Sequence, residues 1–317
     1  MRPPGALVDV GGHRLHLLCH GTGAPAVLLE AGVAASSVSW TLVQPAIARF
    51  TRVCAYDRAG LGWSDTASSA RTFARVCDDL DAVRRHMHPD ARVILVGHSF
   101  GSLVVRGLAA RHPDGIAGLV LIDPPTEWLD AGPEHVRRIT RAIWLSKLGA
   151  LLAHVGIVRA SLSLVMSGRA AASRRVARAF GTTAARTLER LVGEVRKLPP
   201  ELHPIVQAHW CQPKCFRAMA DYLRILHEEA AAIGAVTLPP EIPVIVISGA
   251  HQPDGEMASH RRMAAASPRG RHLIAADSGH WILFDQPDVI VGAVRELVEI
   301  ARGDCPDEDE SRQAGGR

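Results

Sequence analysis

Six cysteines in 317 residues, at 19, 54, 77, 211, 215 and 305, are too few to staple a fold, so a disulfide framework is not expected. Cys211 and Cys215 lie close together, but no CxxC pair or histidine cluster stands beside them at zinc-ligand spacing. A metal site is therefore not expected, and no other cofactor is expected either. A run of about 18 apolar residues, the length of a spanning helix, is also missing. Met1-Arg2-Pro3-Pro4-Gly5 leads into polar alternation without the apolar stretch of a signal peptide. No stable membrane insertion is expected, and the cytoplasm is the expected location. Lys and Arg number 36 against 32 Asp and Glu, a net +4 with the signs interspersed. Without a basic stripe, no nucleic-acid partner is expected. What is present is ordinary globular material, 47% hydrophobic and 21% charged, ample for a core at this length.

Leu7 to Leu18 reads as two strands around Gly11-Gly12. Short apolar runs follow at Ala26–Leu29, Arg52–Tyr56, Val93–Val96, Leu119–Ile122, Val244–Ile247 and His272–Ala275, each the length of a buried strand. Helical periodicity fills the intervals, most clearly over Arg71–Met87, Ser102–Arg111 and Asp288–Arg302. Alternating strands and helices predict an α/β fold, a mostly parallel central sheet with helices on both faces. Residues 126–238 break the alternation. They hold only helix-like stretches, among them Arg137–Leu152, Arg174–Lys197 and Arg217–Ile233. A single helix suffices for a crossover, so this interval is expected to be a helical insertion over one end of the sheet. The expected organisation is a core from 1–125 and 239–302, a helical insertion over 126–238, and a disordered Asp/Glu/Gly-rich tail at 303–317.

The strongest chemical signal is Gly97-His98-Ser99-Phe100-Gly101, between a strand and a helix. In this G-x-S-x-G turn the serine is raised above the sheet on a tight elbow. Side chains at the flanking positions would clash, and glycine removes them. The following helix points its N-terminus at the serine and so favours developing negative charge. A serine hydroxyl needs a base. Of the 16 histidines, His280 in Asp277-Ser278-Gly279-His280-Trp281 follows the last expected strand, and its loop opens at the same sheet edge as Ser99. His98 lies inside the elbow and is expected to shape the site rather than act as the base.

With these residues the sequence resembles the α/β-hydrolase fold family, over about residues 7 to 125 and 240 to 302. Tyr56-Asp57-Arg58-Ala59-Gly60-Leu61-Gly62-Trp63-Ser64 is similar to the family's D-x-R-G-x-G-x-S loop. Ser278-Gly279-His280 with Gln286-Pro287 is similar to its catalytic-histidine segment. The resemblance implies that 126–238 is a cap domain. It also implies that the backbone N–H groups of Val33 and Phe100 form an oxyanion hole, although Glu30-Ala31-Gly32-Val33 stands where many members carry His-Gly. The family usually places the orienting acid about three residues after the seventh strand, and here that position is Gln252, with Asp254 two residues beyond. Other members place it after the sixth strand, which here is Asp123. Asp123 is the expected acid, Asp254 the alternative, and the Asp57 loop is expected to be structural.

Serine at the elbow separates this chain from the dehalogenases and epoxide hydrolases of the family, which carry aspartate there. The implied function is a serine hydrolase of esterase or lipase type, cleaving a carboxylic ester or related acyl bond of a small lipophilic molecule through Ser99, His280 and Asp123. The expected partner is thus a small-molecule acyl substrate. The alternatives are a cofactor-free haloperoxidase or perhydrolase using the same triad, and a non-catalytic ligand-binding or interaction protein.

Overall fold

The computed structural model describes residues 3–87, 91–126, 132–166 and 193–303. Strands β1 (Ala6–Asp9) and β2 (Arg14–His20) form an antiparallel hairpin, with the Asp9 carboxylate accepting the Gly11 N–H at 2.8 Å. Then follow β3 (Ala26–Glu30), α1 (Gln44–Ile47), β4 (Val53–Tyr56), α2 (Phe73–Met87), β5 (Val93–His98), α3 (Phe100–Arg111) and β6 (Ile116–Ile122). After the helical interval come β7 (Val244–Gly249), α9 (Asp254–Ala265), β8 (Gly270–Ala275), α10 (Ile282–Asp285) and α11 (Pro287–Arg302). The eight strands form one sheet in the order β1-β2-β4-β3-β5-β6-β7-β8, parallel from β4 to β8.

The strands at the centre are continuous apolar runs because both of their faces are covered. Along β5, Val93 and Leu95 enter the core on the side of α2 and α3, whereas Ile94 and Val96 enter the core on the side of α1 and α11. This is the two-residue alternation of a pleated strand serving two layers. β8 departs from the expectation of a buried strand. It is the sheet's edge, most of its residues are partly or fully exposed, and only Ala275 is buried.

Among the described residues between β6 and β7, every regular element is helical: α4 (Pro133–His154), α5 (Ile157–Met166), α6 (His203–Trp210), α7 (Pro213–Glu228) and α8 (Ala230–Gly234), with a short 3-10 turn before α6. The single helix expected over Arg217–Ile233 is broken into α7 and α8. Of the helix expected over Arg174–Lys197, residues 174–192 lie outside the described residues, as do residues 304–317 of the expected tail. The interval is seated on the core through α7. Tyr222 Oη donates to Ala59 O at 2.8 Å and Lys214 Nζ to Ser64 O at 2.7 Å, both in the loop that leaves the C-terminal end of β4.

One pairing went unread in the sequence. Cys19 and Cys54, without making a framework, form a single disulfide between β2 and β4. They are 35 residues apart in sequence, and only the register that sets them opposite each other brings them together. Cys77, Cys211 and Cys215 are free and buried.

Candidate active site

Ser99 stands between the last residue of β5 and the first of α3, with φ 53° and ψ −121°. Gly97 and Gly101 make that turn fit. A Cβ on Gly97 would come within 2.5 Å of Gly101 O, and one on Gly101 within 2.4 Å of Glu30 O. The Ser99 N–H is held by Ile122 O at 2.8 Å, and Ser102 Oγ caps Gly97 O at 2.6 Å. Among the described residues the only non-glycine positions with positive φ are Ser99 and Asp123, at 46°. Such conformations cost on the order of 1–3 kcal/mol each and collect at functional sites.

Asp123 directly follows β6. Its N–H is fixed by Ile247 O at 2.7 Å, and its carboxylate is turned toward the neighbouring β7 and β8 loops. His280 Nδ1–H donates to Asp123 Oδ2 at 2.6 Å, while Gln252 Nε2 donates to the same oxygen and the Gly249 N–H reaches Oδ1 at 3.4 Å. Asp123 is buried and the His280 side chain is 32% exposed. The oriented imidazole thus keeps a path to the outside. Of the two carboxylates the sequence leaves open, Asp123 meets His280. Asp254 opens α9 on the exposed surface and makes no bond to His280 among the described residues. The Ser278–His280 loop is tied down by the Ala250 N–H, which donates to Ser278 O at 2.9 Å and to Ala275 O at 3.1 Å.

A family model described as the alpha/beta hydrolase fold matches residues 17–140. Among curated proteins, a haloalkane dehalogenase of Sphingobium indicum is 33% identical over 142 residues, which is 43% of this chain and 47% of that protein. The chain spans less than half the length of the curated relatives it matches in this way. Among solved structures, a thermophilic esterase from Thermogutta terrifontis superposes with a TM-score of 0.63 at 20% identity, covering 91% of this chain and 94% of that one. An ancestral haloalkane dehalogenase gives a TM-score of 0.69 at 20% identity, covering 94% and 99%. The chain has the α/β-hydrolase fold.

In this chain the Glu30-Ala31-Gly32-Val33 departure has a structural cause that the sequence alone did not reveal. Glu30 is fully buried and accepts from Tyr56 Oη and Arg58 Nη1. Burial raises the pKa of Glu30, with Arg58 and Tyr56 opposing it. Arg58 also donates to Ala31 O at 2.6 Å and to Gly32 O, and its guanidinium lies 5.1 Å from the Phe100 ring and 4.9 Å from that of Tyr222. In a trans peptide the carbonyl and the next N–H point oppositely. Arg58 on Gly32 O therefore turns the Val33 N–H to the other side of that peptide. Gly32 itself abuts Ser99, since a Cβ there would lie 3.7 Å from Ser99 Cβ and 3.2 Å from His98 Nδ1. An acidic residue ending β3 and an arginine two residues after β4 were the available signals of this brace.

Asp57 is bound within its own loop and to β2, not to His280, among the described residues. Burial opposes its charge, but His16 at 3.0 Å and the N–H groups of Ser37 (2.6 Å) and Trp63 (2.9 Å) outweigh it and hold the carboxyl below its ordinary range. His98 is buried, and its Nε2–H donates to the His280 carbonyl at 2.9 Å. Burial first, and the neighbouring His280 second, push its pKa down to about 3, so it serves as a neutral strut. Trp281 stacks on Phe284 at 5.5 Å, and Phe284 joins a small apolar cluster with Val38, Leu198 and Val206. That cluster joins the loops after β3 and β8 to the helical interval. Beside it a cavity of about 170 Å³ is lined by Trp63, Ile205, Ala208, His209 and Gln212. A larger depression of about 590 Å³, lined by Cys19, Gly21, Arg52 and their neighbours, lies at the N-terminal ends of β3 and β4, away from Ser99.

Proposed function

We propose that this protein is a serine hydrolase that cleaves a carboxylic ester, or a related acyl bond, of a small lipophilic molecule. The observation that carries the reading is the pair of strained residues, Ser99 on its elbow and Asp123 on the His280 imidazole at 2.6 Å. Ser99 Oγ attacks the carbonyl carbon while His280 Nε2 takes the hydroxyl proton. The imidazolium, its Nδ1–H held by Asp123, then gives that proton to the leaving alcohol, and an acyl-enzyme remains. Water repeats the sequence with His280 as base and releases the acid. The N–H groups of Val33 and Phe100 hold the oxyanion, with the N-terminus of α3 behind them. The reaction takes its proton relay and charge stabilisation from the protein, so no cofactor is assigned.

The esterase neighbour supports this reading, and serine at residue 99 favours it over the chemistry of the dehalogenase and epoxide hydrolase neighbours. We read the helical interval as a cap. The apolar cluster it builds with Trp63 and Phe284 supports a lipophilic acyl or alcohol group. For location we propose the cytoplasm, and the Cys19–Cys54 disulfide is the observation that stands against it. Reducing compartments keep thiols free, so alkylation under denaturing conditions in freshly broken cells should label both Cys19 and Cys54, and an unlabelled pair overturns this location. The chemistry is tested with p-nitrophenyl esters of graded chain length. Ser99→Ala should lower turnover by roughly three to six orders of magnitude with the fold intact. A variant within about tenfold of the parent rate rejects Ser99 as nucleophile.

A further inference from the structure

We propose that the α4–α5 face of the helical interval docks the protein onto an anionic lipid surface, with apolar tips among the headgroups and cations on the phosphates. Two independent features meet on this face. The first is exposure. Of the seven large hydrophobic side chains exposed among the described residues, five lie between residues 144 and 157: Trp144, Leu145, Leu151, Val155 and Ile157. Trp144 is 61% exposed, Leu151 67% and Val155 69%. At 3.6 residues per turn, Arg137, Arg141, Trp144, Leu151 and Val155 fall on one stripe of α4. The chain then bends by 92° into α5, so that Ile157 continues the apolar end.

The second feature is charge. Summed over the chain the charge is nearly balanced, but α4 and α5 carry five Lys and Arg against one acidic residue. That is +4 on two helices, as much as the net charge of the whole chain. Within α4 and α5 the only acidic residue is Glu134, in the first turn. Arg137, Arg141, Lys147 and Arg159 are all exposed. A helix face that is apolar along one stretch and basic beside it lies in the interface of an anionic membrane rather than across it. No single described helix is long and apolar enough to cross a membrane; α4 and α5 reach that length and composition only together, and the 92° bend between them breaks the span. Tryptophan is the side chain that favours the headgroup level.

The other occupants fit one feature but not both. A second copy paired across a two-fold axis would bring like charges together. Residues 167–192, with six Arg and one Glu, carry the same sign as the face. A nucleic acid would take the cations but leave Trp144, Leu151 and Val155 in water. An anionic bilayer uses both.

The test is sedimentation of the full chain with vesicles of phosphatidylcholine alone and of phosphatidylcholine mixed with phosphatidylglycerol. Binding to the mixed vesicles is expected, weaker by at least about tenfold on phosphatidylcholine alone or in high salt. Trp144→Ser with Leu151→Ser, and separately Arg137→Glu with Arg141→Glu, should each weaken it by at least about tenfold, with melting temperatures near the parent's. Absence of binding to the mixed vesicles overturns the proposal. So does binding that both double variants leave intact. Loss on charge reversal alone, with the apolar variant unaffected, also overturns it and points to a plain polyanion such as nucleic acid. A concentration-dependent dimer abolished by the apolar variant, without vesicle binding, overturns it in favour of a subunit interface.

Discussion

The sheet edge and the helical interval solve opposite problems with the same twenty side chains. At the C-terminal ends of β3 to β8, charged groups are buried and held by several partners each. Glu30 is met by Tyr56 and Arg58, Asp57 by His16 and two backbone N–H groups, Asp123 by His280, Gln252 and Gly249. In the helical interval the large apolar groups are the ones left facing out. Buried polar groups without partners cost several kcal/mol, whereas exposed apolar groups cost little. The first region is therefore over-determined, each carboxylate being fixed by more than one bond. The second is free to vary in what it touches. Chemistry is at home in the former and selection of surroundings in the latter.

The largest effect that tests this contrast is on the acid. Asp123→Asn should cost about 10³ to 10⁴ in turnover, whereas Asp254→Asn, on the exposed first turn of α9, should cost less than about tenfold. Steady-state rates on one ester decide it, and the reverse pattern would mean that α9 unwinds to present Asp254. Next comes the brace. Arg58→Ala leaves Glu30 buried without its cation and should lower stability by about 3–5 kcal/mol in chemical denaturation. A loss below about 1 kcal/mol would show that the edge is less tightly determined than its bonds imply.

Acid should act on the sheet edge through His98. Its folded pKa, about 3, lies below the ordinary 6.5. Between these values the unfolded chain takes up a proton that the folded one refuses. The stability due to the neutral imidazole is complete above about pH 6.5 and is lost as pH falls toward 3, on the order of a few kcal/mol. His209, pushed down to about 4 by burial, adds to the loss in the same window from the helical side. Denaturation midpoints from pH 7 to 4 should fall less steeply in His98→Gln, whose amide N–H still reaches the His280 carbonyl. An unchanged slope would mean that His98 titrates normally. The smallest effect is expected on the outer face of α4. Leu151→Ser should move stability by no more than about 0.5 kcal/mol. A loss of 2–5 kcal/mol, the range of a buried leucine, would mean that this face is covered in the folded protein.

Much of the sheet edge was legible before any coordinates. The alternation of apolar runs and helical periods implied the parallel sheet, because only strands buried on both faces read as continuous Val, Ile and Leu. The elbow at Gly97–Gly101 was legible because its constraint is local. So was His280, through its place after the last strand. Arg58 was less legible. Its motif was seen, but not its grip on Glu30 and the 31–32 carbonyls, which joins segments 28 residues apart. The uneven charge of α4 and α5 was in plain sequence, yet a whole-chain sum averaged it away.

The sequence by itself determined the fold class and the tight turn at Ser99, since each follows from periodicity or from sterics within five residues, and it singled out His280 by its place after the last strand. It left the choice between Asp123 and Asp254 open and concealed the Cys19–Cys54 pair. Those are matters of register. β2 beside β4 sets the two cysteines opposite each other. β6 beside β7 carries Asp123 to a histidine 157 residues later, while Asp254 turns away into a helix. Spacing along a chain carries no information about which strands become neighbours, and only the folded sheet makes that decision.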